Sequence, residues 1–326
     1  MEIEIIEEIN KKIECAKNIT ILMHEYPDGD SIGSALGMFG YIKDRFNKKD
    51  VQILGKKIPE AFLILENINE IKEENAFETI DLVIIVDLHN RKRLYDYEYL
   101  IDIAKDVIVI DHHLGEPDFP CISLVDSTYP AACQMVYEIL RMSKYDPPKK
   151  LCIPIITGIL TDTGGFRYRS VNKRTFEIAG EILEKGVEIH ELYRKFLDTD
   201  TENEVELKRL ALERREYYLN GRILFTYLDG KDKAYVNMKP GENRCVNSAL
   251  RKIKGVEVTL FMIEVEDGYK LSVRTEGEIR ANEIAKNFNG DGHKNAAGAK
   301  IYRKNFEKIK QDVIEAAINE VNTERR

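Results

Sequence analysis

The sequence predicts an α/β protein of two domains: a mainly parallel sheet covered by helices on both faces, then a smaller α/β domain. Three observations carry this. Through the first half, apolar runs of strand length alternate with segments of helical spacing. A charged helical stretch without strand-like runs follows. At 326 residues the chain exceeds a typical single core, so two are expected.

The first strand is Ile19 to Met23, which leads straight into His24-Glu25-Tyr26-Pro27-Asp28-Gly29-Asp30. Ser31 to Phe46 then places Ile32, Ala35, Leu36, Phe39, Ile42 and Phe46 at helical spacing. Strands follow at Val51 to Leu54, at Ile80 to Val86 before Asp87, and at Val107 to Ile110 before Asp111-His112-His113. Cys121 to Val125 reads as a further strand, and Pro130 suits the first turn of a helix running to about Met142. Asp162 follows the apolar stretch Ile153 to Leu160 and precedes Gly164-Gly165, which suggest a tight turn. From about Asn172 to Leu219 the pattern is helical and charged. Strand-like segments resume at Arg222 to Tyr227, Ala234 to Asn237, Val256 to Val265 and Tyr269 to Thr275, with Asp267-Gly268 as a hairpin turn. Asn305 to Val321 makes a closing helix. The expected division is 1–185, a helical linker over 186–216, and 217–326.

Apolar residues make up 43% of the chain and charged residues 33%, the balance of a soluble globular protein. No run approaches the ~20 apolar residues that span a bilayer, so no membrane partner is expected. The N-terminus is acidic and lacks the basic start of a signal peptide, which predicts a cytoplasmic protein. Cys15, Cys121, Cys133, Cys152 and Cys245 are scattered and odd in number, a poor basis for disulfides or a zinc knuckle. A net charge of −8 leaves no global basic surface to track a long nucleic acid; a short or small phosphorylated ligand fits better.

Polar groups at the carboxyl ends of buried parallel strands sit where open α/β sheets bind ligands. Asp28, Asp30, Asp87 and Asp162 would bring four negative charges into one cleft, and like charges that close repel. Two divalent cations would neutralise them, and a dinuclear site with ions roughly 3.5–4 Å apart can activate water and stabilise charge on a phosphoryl group. Carboxylates mixed with imidazole and no thiolate suit Mn²⁺ better than structural Zn²⁺. Each residue also has a plain structural reading: Asp30 before Ser31 as a helix N-cap, His112 or His113 as a hydrogen-bonded histidine, Asp162 as a turn former. A single metal cleft accounts for all of them together. His89 and His190 are read as structural histidines, Phe166 as core, and Tyr168 as core or a surface on which a base could stack.

His24-x-x-x-Asp28-x-Asp30, Asp87, Asp111-His112-His113 and Asp162-Thr163-Gly164 resemble, in order, the four motifs of the DHH phosphoesterases. The resemblance implies hydrolysis of phosphate esters with two Mn²⁺ ions, Mg²⁺ or Co²⁺ being substitutes. It implies that His24, Asp28 and Asp87 hold one ion and Asp30, Asp87, His112 and Asp162 the other, with Asp87 bridging. Asp111 and His113 would then orient the ligands or face the substrate, which with His112 makes Asp111-His112-His113 the catalytic motif.

In the second half, Asn289-Gly290-Asp291-Gly292-His293-Lys294-Asn295-Ala296-Ala297-Gly298 offers small residues that let a phosphate approach backbone N–H groups, with charged donors on His293 and Lys294. Upstream, Ser272-Val273-Arg274 ends a strand with a hydroxyl and a guanidinium, the latter suited to bidentate phosphate recognition. The plain alternative is a Gly-rich turn between helices. The segment resembles the loop of the DHH-associated C-terminal domain. That resemblance implies that Ser272, Arg274, Gly290, Gly292, His293 and Lys294 bind substrate phosphate or nucleotide, across a catalytic cleft between the domains. Asp291 departs from the glycine usual there.

Together the motifs look most like the short-oligonucleotide RNases of nanoRNase A type within that family. This implies degradation of short single-stranded RNA to 5′-mononucleotides. Alternatives that share the chemistry are 3′-phosphoadenosine 5′-phosphate phosphatase and a cyclic or linear dinucleotide phosphodiesterase. A homodimer is compatible with this reading. An inactive nucleic-acid-binding scaffold would show lost metal ligands, and none is lost.

Overall fold

The computed structural model describes residues 3–47, 50–238, 242–302 and 305–323. The chain divides into two units, Met1–Thr199 and Asp200–Arg326.

The first unit runs α1 (Ile3–Cys15), β1 (Asn18–Leu22), α2 (Gly29–Arg45), β2 (Asp50–Leu54), β3 (Ile71–Lys72), β4 (Ile80–Val86), α3 (Leu100–Ile103), β5 (Ala104–Asp111), β6 (Ile122–Val125), α4 (Ala132–Met142), α5 (Lys149–Asp162), α6 (Lys173–Glu184) and α7 (Ile189–Leu197). Its six strands are all parallel, in the order β3-β2-β1-β4-β5-β6. Chain order reverses between β1 and β4, and this switch point opens a crevice at the strands' carboxyl ends. Along β4, Leu82, Ile84 and Val86 face a core shared with α1, α2, α4, α5 and α6. Val83 and Ile85 face a second cluster with Leu94, Tyr97 and Leu100. Burial on both faces is why the strand reads as an unbroken apolar run rather than an alternating one.

The packing of α2 on α5 sets the site. A Cβ on Gly33 would collide with the Pro154 carbonyl oxygen and lie 2.7 Å from Cys133 Sγ, and one on Gly29 would collide with Thr161. Backbone therefore approaches backbone, which draws the start of α2 against the end of α5. The apolar stretch before Asp162 is thus helical, with Pro154 inside it. Two readings are corrected nearby. The N-cap of α2 is Asp28, and Asp30 lies within the first turn. Helix α4 begins at Ala132 behind the extended cap residue Ala131, so Pro130 precedes the helix rather than opening it.

The second unit runs α8 (Glu202–Glu213), β7 (Glu216–Tyr218), β8 (Ile223–Leu228), α9 (Gly230–Tyr235), α10 (Arg244–Leu250), β9 (Val258–Val265), β10 (Gly268–Thr275), α11 (Ala281–Lys286), β11 (Asp291–His293), β12 (Ala296–Ile301) and α12 (Phe306–Thr323). Its mixed sheet has the order β11-β12-β10-β9-β8-β7, with β8 and β9 parallel and the other pairs antiparallel. Ala234 to Asn237, read as strand-like, instead closes α9 and its turn. The reciprocal capping of Asp229 and Asp232 starts a helix there, and local capping outweighs β propensity over so short a segment. The segment 186–216 is shared out: α7 packs on the first unit's core and α8 on a core of the second.

Gly33→Ala tests the close approach. In an open helix the change stabilises by ~0.5–1 kcal/mol, but here overpacking should dominate and destabilise by ~1–3 kcal/mol. Gly180 in α6 has no neighbour within 4 Å of an added Cβ, so Gly180→Ala should stabilise. Urea unfolding of both variants reads the opposite signs.

Candidate metal centre

β1 and β4 flank the switch point, and their carboxyl ends deliver His24 and Asp87. His24 Nε2 lies 3.6 Å from Asp87 Oδ2 and 4.0 Å from Asp28 Oδ1. Asp28 is oriented by its own helix: Oδ1 accepts from the backbone N–H groups of Asp30 and Ser31, both at 3.2 Å. Its ordinary capping role thus fixes a carboxylate at the mouth of the crevice.

Asp30 is buried and is held by another helix start. Its Oδ2 accepts from Ala132 N at 2.6 Å and its Oδ1 from Cys133 N at 2.8 Å. Free N–H groups and the dipole at the N-terminus of α4 make an anion site, which here holds a carboxylate of the same chain.

His112 joins the remaining carboxylates. Its Nε2 stands 3.4 Å from Asp87 Oδ1, 3.5 Å from Asp162 Oδ2 and 3.6 Å from Asp30 Oδ2. Its Nδ1 donates to the Tyr129 carbonyl at 3.2 Å, leaving Nε2 for the crevice. Asp87 sits at the centre, buried, with φ at +58°, a left-handed conformation that Asp tolerates better than most residues. Its backbone N–H donates to the Ile110 carbonyl at 2.9 Å, which pins the turn.

Asp111 is fully buried and serves differently. Its Oδ1 accepts from His113 Nδ1 at 2.7 Å and from His113 N at 3.2 Å, and its Oδ2 accepts from His89 Nδ1 at 2.5 Å. Both oxygens are taken by N–H donors, so Asp111 orients histidines. His113 Nδ1 also comes within 3.6 Å of Asp87 Oδ1.

The electrostatics follow from burial and crowding. Burial and the Asp87 charge hold the Asp30 carboxyl well above its usual range. Burial pushes Asp162 up to about 6, with His112 pulling downward and Asp28 and Asp87 adding to the rise. Burial opposes the charge of Asp87 too, yet the imidazoles of His112, His24 and His113 beside it carry it below the ordinary value. Burial opposes the His112 imidazolium, but Asp87, Asp162 and Asp30 together raise it well above the usual range.

In the first unit three groups have their donor atoms within 4.8 Å of one another: His24, Asp28 and Asp87; Asp30, Asp87 and His112; and Asp87, Asp111 and His113, the last with both Asp111 oxygens already taken by imidazole donors. They share Asp87. Its buried Oδ1 has no hydrogen-bond partner, a cost that a cation would remove. Carboxylates with one imidazole per group are a hard donor set that fits divalent cations.

In the second unit, Ser272 pairs with Gly298, Arg274 with Ala296, and Ala296 in turn with His293. Directly opposed residues point to the same side, so Ser272, Arg274 and His293 share one face of that sheet, as does Asp291 opposite Gly298. The Gly-rich segment does not join two helices; it enters the sheet as edge strand β11. Gly292 lies against β12, where a Cβ would sit 2.5 Å from the Ala296 carbonyl oxygen, and its φ is +145°. Gly290 likewise has Ala285 O within 2.9 Å of such a Cβ. Lys294 Nζ is paired with Glu278 at 2.5 Å, and Arg274 Nη1 donates to the Val273 carbonyl at 2.9 Å.

Sequence reasoning missed the α4 amides that hold Asp30, whose signal is the run of small residues Ala131-Ala132-Cys133 at a helix start. It left His89 as a structural histidine, although its position two residues after Asp87 marks it as a neighbour of the site. Phe166 packs partly buried on the first core, and Tyr168 is exposed.

The DHH family, N-terminal domain, matches residues 18–161, and the DHHA1 domain matches residues 220–320. A probable bifunctional oligoribonuclease and PAP phosphatase NrnA of Streptococcus mutans is 30% identical, over 89% of this chain and 92% of its own. The bifunctional oligoribonuclease and PAP phosphatase NrnA of Thermus thermophilus is 27% identical over 98% and 94%. The crystal structure of an exopolyphosphatase-related protein from Bacteroides fragilis superposes with a TM-score of 0.87 at 27% identity, covering 97% of each chain. No helix among the described residues is long and apolar enough to cross a membrane. With both domain models in order and near-complete coverage of relatives, this chain belongs to the DHH family of metal-dependent phosphoesterases.

Proposed function

We propose that this protein is a Mn²⁺-dependent phosphodiesterase that degrades short single-stranded RNA to 5′-mononucleotides in the cytoplasm. The observation that carries it is that the ligand groups around His24 and around His112 share the buried Asp87, one at each of its oxygens. The oligoribonuclease named in the relatives supports the substrate class. A second reading, 3′-phosphoadenosine 5′-phosphate phosphatase, is favoured by the other half of those names.

In this reading His24, Asp28 and Asp87 hold one cation, and Asp30, Asp87, His112 and Asp162 the other. Bound cations supply Lewis acidity toward the phosphoryl oxygens and lower the pKa of water. The chain's own part is to hold these ligands rigidly. Asp28 and Asp30 are locked by backbone amides, His112 by the Tyr129 carbonyl. His113, its Nδ1 proton directed at Asp111, presents Nε2 toward the substrate. Ser272, Arg274, Gly290, Gly292, His293 and Lys294 bind the phosphate or terminal nucleotide of the substrate. Arg274 offers a planar donor fork suited to a phosphate.

The test is a Mn²⁺ time course on 5′-labelled RNA from dinucleotide upward, with 3′-phosphoadenosine 5′-phosphate in parallel. Turnover of the shortest RNAs that EDTA stops and Mn²⁺ restores is expected. Preference for the small nucleotide moves the protein to the second reading, and silence on both overturns the enzyme assignment.

Asp87→Asn keeps the shape but removes the bridging charge, and should lower kcat by more than about 100-fold, since even outer-shell changes at metal sites cost about 10–100-fold. Cation binding competes with protons on His112 and Asp162, both raised. Affinity should therefore fall as pH drops toward 6 through competition at His112, and more steeply below about 6, where Asp162 also takes up a proton, by about tenfold per pH unit for each proton displaced. Mn²⁺ titration calorimetry in buffers of different ionisation enthalpy reads both the affinity and the released protons. Arg274→Ala should raise KM for nucleotide substrates by about 10–100-fold, the worth of a hydrogen bond to a charged group, and leave Mn²⁺ affinity unchanged.

A further inference from the structure

Asp111 divides its two oxygens between two imidazoles. His113 occupies one and His89 the other, at 2.7 and 2.5 Å. The pairing follows from the sheet. β4 and β5 run in parallel register up to Val86 opposite Ile110, so the segments leaving their carboxyl ends emerge side by side. Residue 89 is thereby set against Asp111. A buried carboxylate with one oxygen unpaired would be costly, and rotation of Asp111 toward other donors would relieve it. Such a rotation would shift the His113 ring, which is held by the other oxygen.

His89 itself is confined. A Cβ on Gly115, at φ +123°, would lie 2.6 Å from His89 Nε2, so the chain after the three-residue Asp-His-His motif packs directly on this ring. The His89 side chain is 16% exposed and that of Asp111 0%. The ring is thus closed in from the Gly115 side and anchored at Nδ1 on the other, which leaves it little freedom to turn.

The geometry points to His89 as a positioning residue. By donating from Nδ1 to Asp111 Oδ2, it fixes the Asp111 carboxylate so that Oδ1 holds the His113 ring toward Asp87. This rests on the phosphoesterase reading for the task His113 performs, but the alignment itself is a property of the protein without metal or substrate. Asparagine can place its side-chain nitrogen where Nδ1 stands, whereas glutamine reaches the Nε2 position and leucine donates nothing.

The experiment compares His89→Asn, His89→Gln and His89→Leu by two readouts. In the metal-free protein, long-range ¹H–¹⁵N spectra report the imidazole signals. The His113 signals should move in the Gln and Leu variants and stay in place in the Asn variant, with those of His24 and His112 unchanged in all three. With Mn²⁺ and whichever phosphoester the wild type turns over, Gln and Leu should lower kcat about 10–100-fold with KM little changed. Asn should remain within a few-fold of wild type. If the leucine variant does not fold, the contrast between Asn and Gln decides alone. Equal behaviour of Asn and Gln, or a His113 signal indifferent to all three, overturns the proposal. Failure of the functional reading is distinguishable, because it silences turnover in the wild type and leaves the spectra interpretable.

Discussion

The first unit is organised around the cost of gathering carboxylates where water is scarce. Asp30, Asp87 and Asp111 are all buried, and Asp162 lies against His112. Like charges at such distances repel, and a low dielectric strengthens the repulsion. Each carboxylate is met by a different device. Asp28 caps its own helix, Asp30 takes the amides at the start of α4, and Asp111 is clamped between two imidazoles. Among these aspartates Asp87 keeps a buried oxygen without a hydrogen-bond partner, and it is the residue that the candidate cation groups of this unit share. Asp162, with no such device, answers by a raised pKa. The charge left over is what a divalent cation complements.

These devices work only if their elements come close enough, and that is a matter of packing. Glycines along α2 remove the side chains that would otherwise hold α5 away. The start of α2 carries Asp28 and Asp30; the end of α5 carries Asp162. Close backbone contact between the helices therefore sets the separation of ligands far apart in sequence. The parallel register of β1, β4 and β5 performs the same task for His24, Asp87 and Asp111. Stability and site geometry thus share the same contacts, which is why a single methyl at Gly33 is expected to disturb both.

Much of this was legible beforehand. Strands β1, β4 and β5 are buried on both faces, so their sequences are unbroken apolar runs, and the polar residues that end them stand out. The hairpin of β9 and β10 announced itself through Asp267-Gly268. The segment Ala234 to Asn237 was not legible, because the capping pair Asp229 and Asp232 lies upstream of the residues whose β propensity suggested a strand. The role of Gly292 was half legible. Its type suggested a close backbone approach, and the structure shows one to β12.

The sequence by itself determined the identity of the candidate ligands and the kind of sheet that carries them. Polar residue types placed after apolar runs are a one-dimensional signal, and strand periodicity preserves it. Tertiary structure alone decided which carboxylate meets which partner. Asp30 finds Ala132 and Cys133, and Asp111 finds His89, across separations that no local pattern encodes. Those partnerships arise when parallel strands align and helices close on glycine, because only then do backbone amides and imidazoles come within hydrogen-bonding reach of the buried charges.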